Sequence, residues 1–374
     1  MQSKKCKLLF LILTLSVGMS YAQNQANFSG YNVYDSSVIS KKNLKQHNDF
    51  INNQYNFPAR PRDMWELGIS LGNLAIAGDV APVLPDFGFS LHARKSMGYS
   101  FSLRMQYMYG VTKGLDRSST LNWEKNAPWA SYPVNNRVYL NHKTQIQDLG
   151  LQGILSINNI RFHKHKSNVV LYLGAGFGVT AFQTKVNALN EAAGTNYATL
   201  FNDVYIKYRD KRENFKEMRS SLKGGMDNTY ESDGDSRSNG AKIGGQTLIF
   251  SSTILAGVAY RLTKRINLAL ESRHTFTHDD LLDGQRWQEH PRGDAALSPN
   301  FDTYNYTSIG LNYNLGKNAI EPLWWINPLD YVYGELNNPK HTKFPKPTFE
   351  DADGDGVIDQ LEDRKSTRLN SSHA

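Results

Sequence analysis

The sequence predicts an all-β chain, an eight-stranded antiparallel transmembrane β-barrel with a C-terminal calcium-binding spacer. Three observations carry that reading. Eight segments alternate apolar and polar residues with period two, which is the strand signature. The links between those segments alternate short and long, as in barrels with short turns at one end and longer loops at the other. The charges within the strands fall opposite the apolar set, three acids against three bases.

Composition fits. Hydrophobic residues make up 40% of the 374 residues and aromatics 11%, with 20 Tyr, 17 Phe and 6 Trp. Mean hydropathy is only −0.53. That value argues against a helical membrane protein but not against a barrel, whose strands dilute the apolar signal. Tyr and Trp are the residues that settle at membrane–water interfaces. The net charge of +7 is spread along the chain and accompanies no nucleic-acid-binding module, so no nucleic-acid partner is expected. A polar surface facing anionic lipid or lipopolysaccharide accounts for it. The single cysteine, Cys6, excludes a disulfide framework and a thiolate metal site.

Residues 1–22 read as a signal peptide. Lys4, Lys5 and Lys7 precede a short apolar run from Leu8 to Val17, and Ser20 and Ala22 supply the small residues of a cleavage site. The run is too short to span a bilayer as a helix. An exported chain with no longer apolar stretch crosses a membrane only as a closed barrel. Residues 23–63, polar and Asn-rich, are read as a periplasmic N-terminal segment.

The barrel is expected over 64–316. Its strands are placed at 64–72, 86–94, 99–109, 145–157, 169–181, 248–260, 266–276 and 309–315. In the first, Trp65, Leu67, Ile69 and Leu71 share one face, and in the last, Ile309, Leu311, Tyr313 and Leu315 do. The links at 95–98 and 261–265 are tight and that at 158–168 is moderate, whereas 110–144, 182–247 and 279–302 are long and polar. With the N-terminus in the periplasm, the link at 73–85 is external, and strand parity then makes every long link external. Loop 182–247 is charged and rich in Gly and Ser, and is read as partly disordered or holding a short helix near 209–222. Glu66, Arg94, Arg104, Asp148, Glu271 and Arg273 point into the lumen, where charges must be paired because the interior is narrow and poorly solvated.

Several motifs bear on chemistry. Gly174, Gly176 and Gly178 lack the spacing of a nucleotide loop and read as small lumen residues that make room for large side chains opposite. His274, His278, Asp279 and Asp280 lie at the outer rim, but no spacing singles out a nucleophile, and neither an enzyme nor a small-molecule substrate is expected. His163 and His165 read as a polar turn. The sharpest motif is 351–363, Asp-Ala-Asp-Gly-Asp-Gly-Val-Ile-Asp-Gln-Leu-Glu-Asp. Asp351, Asp353, Asp355 and Asp359 supply oxygen ligands, Val357 a backbone carbonyl and Glu362 a bidentate carboxylate, and Gly356 allows the sharp turn. A structural Ca2+ site is expected there, behind a Pro- and Lys-rich linker at 317–350.

The opening segment 46–72, the eight-strand pattern and the loop at 351–363 together resemble the OmpA family of outer-membrane proteins in its Bacteroidetes form. The last of these pieces looks like a thrombospondin type 3 repeat. The resemblance implies residence in the outer membrane of a Gram-negative cell, with the spacer in the periplasm and outer-membrane lipid as the barrel's surroundings. It also implies a structural role, linking that membrane to peptidoglycan through a C-terminal domain. The tail 364–374 departs from the family and resembles translated adapter sequence, so the chain is expected to lack the wall-binding domain. The other readings are a surface barrel that binds or adheres through its external loops, a pore, and a rim-active enzyme.

Overall fold

The computed structural model describes residues 32–123, 125–157, 168–236, 238, 240–286, 300–327, 329 and 332. The signal peptide, the histidines at 163 and 165, the calcium motif with Asp351, Asp353, Asp355, Val357, Asp359 and Glu362, and the tail lie outside the described residues.

Eight long strands close into an antiparallel barrel. They are β1 (Trp65–Ala77), β2 (Phe87–Ser96), β3 (Phe101–Leu115), β4 (Asn141–Ser156), β5 (Val169–Val186), β6 (Gln246–Arg261), β7 (Ile266–Thr277) and β8 (Thr303–Leu315). Each pairs with its neighbours in the chain, and β8 closes on β1 through a ladder from Trp65 opposite Leu315 to Ala77 opposite Thr303. Closure leaves no free sheet edge, which is the condition for a sheet to stand in hydrocarbon.

The barrel is apolar outside and polar within. Leu67, Ile69 and Leu71 of β1 are exposed, and so are Leu149, Leu151 and Leu155 of β4, Phe250 and Ile254 of β6, and Ile309 and Leu311 of β8. Glu66, Arg94, Arg104, Asp148, Glu271 and Arg273 are buried on the other face. A continuous apolar belt of this extent is unsuited to water and matched to lipid tails.

All eight strands fall where alternation places them, and several run further at the end that bears the long links. β1 continues to Ala77, β4 begins at Asn141, β5 continues to Val186 and β8 begins at Thr303. Beyond the belt the faces exchange character. Leu74, Ile76, Ile146, Phe182 and Tyr304 turn inward and are buried in one apolar cluster with Met108, Ile249, Leu282 and Tyr306. Asn73, Gln145, Gln183 and Thr307 occupy the outward parity there.

Among the described residues, the links 110–144 and 182–247 form a cap with a core of its own. Loop 182–247 holds two helices, α2 (Ala198–Tyr208) and α3 (Phe215–Gly225), in place of partial disorder or one short helix near 209–222. Arg209 and Asp210 take left-handed backbone at φ 52° each and break the segment in two. The Asp210 carboxylate holds the break by accepting from Tyr139 Oη at 2.6 Å and Ser119 Oγ at 2.7 Å. Trp123, Trp129, Tyr132, Tyr139, Phe201, Met218 and Leu222 make the cap's own core, in which Tyr132 stacks on Phe201 with ring centres 6.0 Å apart.

The opposite end, which carries the tight turns, is also covered. Residues 32–64 contribute helix α1 (Leu44–Ile51) and a bridge between Ile39 and Pro61. After β8 the chain folds back beneath the barrel. Trp324 and Trp325 there are buried in a cluster with Ile154, Val170, Tyr172 and Leu255.

Candidate functional site

The lumen is where this chain concentrates its buried polar chemistry. β1, β2, β3, β4 and β7 supply the six interior charges, and the structure brings them together as three pairs. Nearest the turn end, Arg94 Nη1 lies 3.8 Å from Glu66 Oε1. Arg94 also donates to Ser102 Oγ at 2.7 Å and lies 3.9 Å over the Trp324 ring. Glu66 accepts from Asn267 Nδ2 at 2.8 Å. In the middle, Arg104 grips Glu271 with two nitrogens, at 2.6 and 2.8 Å. Tyr172 Oη donates to the same carboxylate at 2.9 Å. Above them Arg273 Nη1 donates to Asp148 Oδ1 at 2.9 Å, while Tyr304 Oη and Thr180 Oγ1 both donate to Asp148 Oδ2 at 3.0 Å.

Neutral residues on the same face join the charges. Gln106 accepts from Gln152 at 3.0 Å and donates to Ser90 Oγ at 2.9 Å, linking β2, β3 and β4 across the lumen. Their inward parity was the available signal. The glycines at 174, 176 and 178 lie on this face. A Cβ at Gly174 would meet Gly153 O at 2.9 Å and the Leu255 side chain at 3.1 Å, one at Gly176 the Leu151 carbonyl and Gln152, and one at Gly178 the Leu149 carbonyl at 2.5 Å, so the backbone of β4 as well as side chains crowds this stripe.

At the loop end the link after β7 dips into the mouth. Leu282 is fully buried there, and its carbonyl accepts from Thr144 Oγ1 at 2.6 Å and Thr184 Oγ1 at 2.9 Å. Asp283 and Asp302 hold this dip. Asp283 accepts from Val80 N and Gln285 N, each at 2.8 Å, and Asp302 Oδ2 accepts from Asp283 N at 3.2 Å. Both carboxylates close over Gly78, whose missing side chain leaves them room. Burial, and for Asp302 the charge of Asp283, holds both carboxyls well above the usual range. Burial together with the charges of Asp79 and Asp283 pushes Asp280 up to about 8. Among the described residues, no group of three or more His, Cys, Asp or Glu is arranged to hold a metal ion.

The rim histidines do not meet the rim acids. His274 packs edge-on against Phe276 on the outward face, with ring centres 4.8 Å apart, and His278 is exposed beside Phe301. Asp279 and Asp280 are buried, and Asp279 accepts from Ser238 Oγ and Leu281 N.

No family model matches the chain, and no curated protein does. Among solved structures it is similar to Neisserial surface protein A, with 11% identity over 67% of this chain and 97% of that one and a TM-score of 0.30. It is also similar to Ail of Yersinia pestis in complex with the heparin analogue sucrose octasulfate, with 8% identity over 68% and 100% of the two chains and a TM-score of 0.32. The N-terminal β-barrel domain of Pseudomonas aeruginosa OprF gives 8% identity over 68% and 98% and a TM-score of 0.29. These likenesses add nothing to what the strand order itself shows.

Two predictions follow from the lumen and its mouth. Glu271→Ala leaves Arg104 buried without its partner and is expected to lower unfolding free energy by about 3–5 kcal/mol, whereas Arg104→Met with Glu271→Met costs much less. Urea unfolding in detergent micelles measures both, and equal losses would show that the pair is not what holds the middle layer. The second concerns pH. The folded carboxyls of Asp283 and Asp302 bind protons that the unfolded chain, with carboxylates near pKa ~3.9, has released. Their contribution is complete below about pH 4 and is lost as pH rises through their folded values. Asp302→Asn keeps the acceptor for Asp283 N and stays neutral. It is expected to slow hydrogen exchange over 278–286 at pH 8 and to leave it unchanged at pH 4, and equal exchange in parent and variant at both pH values would refute the assignment.

Proposed function

We propose that this chain is a structural barrel of the outer membrane of a Gram-negative bacterium. Its long-link end faces outward and its tight-turn end faces the periplasm. One observation carries the reading: an apolar belt surrounds a lumen whose six charges are paired internally and whose two ends are filled by protein. Such a molecule is built to stay in a bilayer, not to pass solutes through it. An eight-stranded barrel leaves an interior about wide enough for its own side chains. Here Leu282 occupies one mouth, and Trp324 with Trp325 occupies the other. The cap gives this anchor an outward surface with a core of its own.

The same reading extends to a tether. The complete form would link the membrane to peptidoglycan through a further domain, with 351–363 as a calcium-stiffened spacer on the periplasmic side. Support for this comes from the residue spacing of the loop, with carboxylates at Asp351, Asp353, Asp355 and Glu362. No catalytic role is assigned to the barrel.

The barrel reading is tested by reconstituting the chain into vesicles and planar bilayers. It should insert, migrate differently on gels before and after boiling, and give no steady conductance; stable open-channel current would overturn the closed-lumen assignment. For the spacer, native mass spectrometry at micromolar Ca2+ should show one retained ion, lost in Asp353→Asn with Glu362→Gln. Equal occupancy in parent and variant would remove the calcium assignment.

A further inference from the structure

The segments that lead into and out of the barrel meet at the periplasmic rim and border an open cleft of about 350 Å3. One wall comes from residues 60–65 and the other from 315–319. The walls are built, not draped. Arg62 N donates to Val38 O at 2.7 Å, Ile320 N donates to Arg62 O at 3.2 Å, and Asn43 Nδ2 donates to Arg60 O at 3.2 Å. The backbone carrying Arg60 and Arg62 is therefore fixed from both sides.

The lining is cationic. Arg60, Arg62, Lys95 and Lys317 face a single acid, Asp63. Asp63 is committed, since it pairs with Lys95 Nζ at 3.2 Å and accepts from Ser96 Oγ. Arg60 uses one guanidinium nitrogen on Met97 O at 2.6 Å. Its other donors, the Arg62 guanidinium and the Lys317 ammonium leave the cleft with an excess of positive charge.

The other border of the cleft is apolar. Trp65 and Leu315 line it, are paired across β1 and β8, and are 51% and 41% exposed. They begin the outward row that continues through Leu67, Ile69 and Leu71 and through Tyr313, Leu311 and Ile309. The cleft thus straddles the edge of the apolar belt, with cations on the water side and an interfacial Trp on the lipid side. Interfacial aromatics sit at headgroup level, and Arg recognises phosphate through paired donors. A cleft of this volume is in the range that holds a small ligand group, roughly 300–1,000 Å3.

We propose that this cleft binds the phosphate headgroup of an anionic phospholipid of the inner leaflet, with its acyl chains lying against Trp65 and Leu315. Inorganic phosphate shares the headgroup's charge but not its chains, and the apolar border favours the lipid. The inference rests on the membrane reading above and is tested so that the two can fail separately.

The full chain is inserted into mixed vesicles of phosphatidylcholine with phosphatidylglycerol, extracted in mild detergent and examined by native mass spectrometry. One phosphatidylglycerol should remain bound, and Arg62→Gln with Lys317→Gln should weaken its retention about tenfold or more. A control, Lys143→Gln with Lys185→Gln, removes the same charge near the loop end and should retain the lipid. Gel migration before and after boiling establishes that each variant is a folded barrel. Equal retention by parent and cleft variant, loss in the control, or no preference over phosphatidylcholine would each overturn the proposal. Displacement by equimolar inorganic phosphate would do so too, by assigning the cleft to the free anion. Failure of the parent to insert would overturn both this inference and the membrane reading, whereas insertion without lipid selection would sink this one alone.

Discussion

The middle ion pair sets the terms for the rest of the structure. Arg104 and Glu271 sit on strands far apart in the chain and meet across the lumen with two short hydrogen bonds. An eight-stranded barrel has no room for the water that would otherwise solvate them. Each interior charge must therefore find its partner at a fixed height and angle. Arg94 with Glu66 below and Arg273 with Asp148 above obey the same demand. A slip of one residue in any ladder would turn these charges out into lipid and bring leucines inward. The pairs thus act on register more than on net stability, because a buried pair recovers little beyond its desolvation cost.

Volume obeys the same constraint as charge. Large inward groups are admitted where the facing strand is stripped of side chains. Tyr172 lies against Gly257, where any Cβ would clash with its ring, and its hydroxyl then reaches Glu271. His142 lies against Gly114 in the same manner. Glycine is ordinarily a weak strand residue. Here its absence of side chain is what lets neighbouring strands send large polar groups across the lumen.

How much of this could be read in the sequence depends on where along a strand one looks. Within the apolar belt, alternation has a fixed sense, with apolar residues out and polar residues in, and all eight strands and six charges are legible from it. Past the belt the outward neighbours are water and cap, and the sense reverses. Leu74 and Ile76 of β1 point in while Asn73 points out, and Ile146 of β4 points in between Gln145 and Gln147. The period persists, but its apolar phase jumps by one residue. One continuous apolar face ends at that jump, so the apolar alternation marks β8 only from 309 although the strand begins at Thr303. The cap was illegible for another reason. Its core draws Trp123 and Trp129 from one link and Phe201, Met218 and Leu222 from another, and neither link has enough apolar residues alone to announce a fold. Trp324 and Trp325 likewise follow the last strand with no period to mark them.

The reversal also explains why the strands extend beyond the apolar belt on one side only. The turn end stops near the belt, so its segments fold directly beneath it and bring Arg60, Arg62 and Lys317 to its edge. At the loop end β3, β4, β5 and β6 run on for 15, 16, 18 and 16 residues. A span of hydrocarbon needs only ~9–11. The excess makes a rigid, water-surrounded collar filled by the cluster of Leu74, Phe182 and Tyr304. On that collar the cap rests, with Leu115 and Val186 at strand ends and Val80 of the first link sharing the cap core. A flexible loop could not hold Asp210 in left-handed backbone or bury Leu282 beneath two carboxylates. Thr144 of β4 and Thr184 of β5 hold the Leu282 carbonyl, so the dip takes its place from the same overlong strands whose register the ion pairs keep.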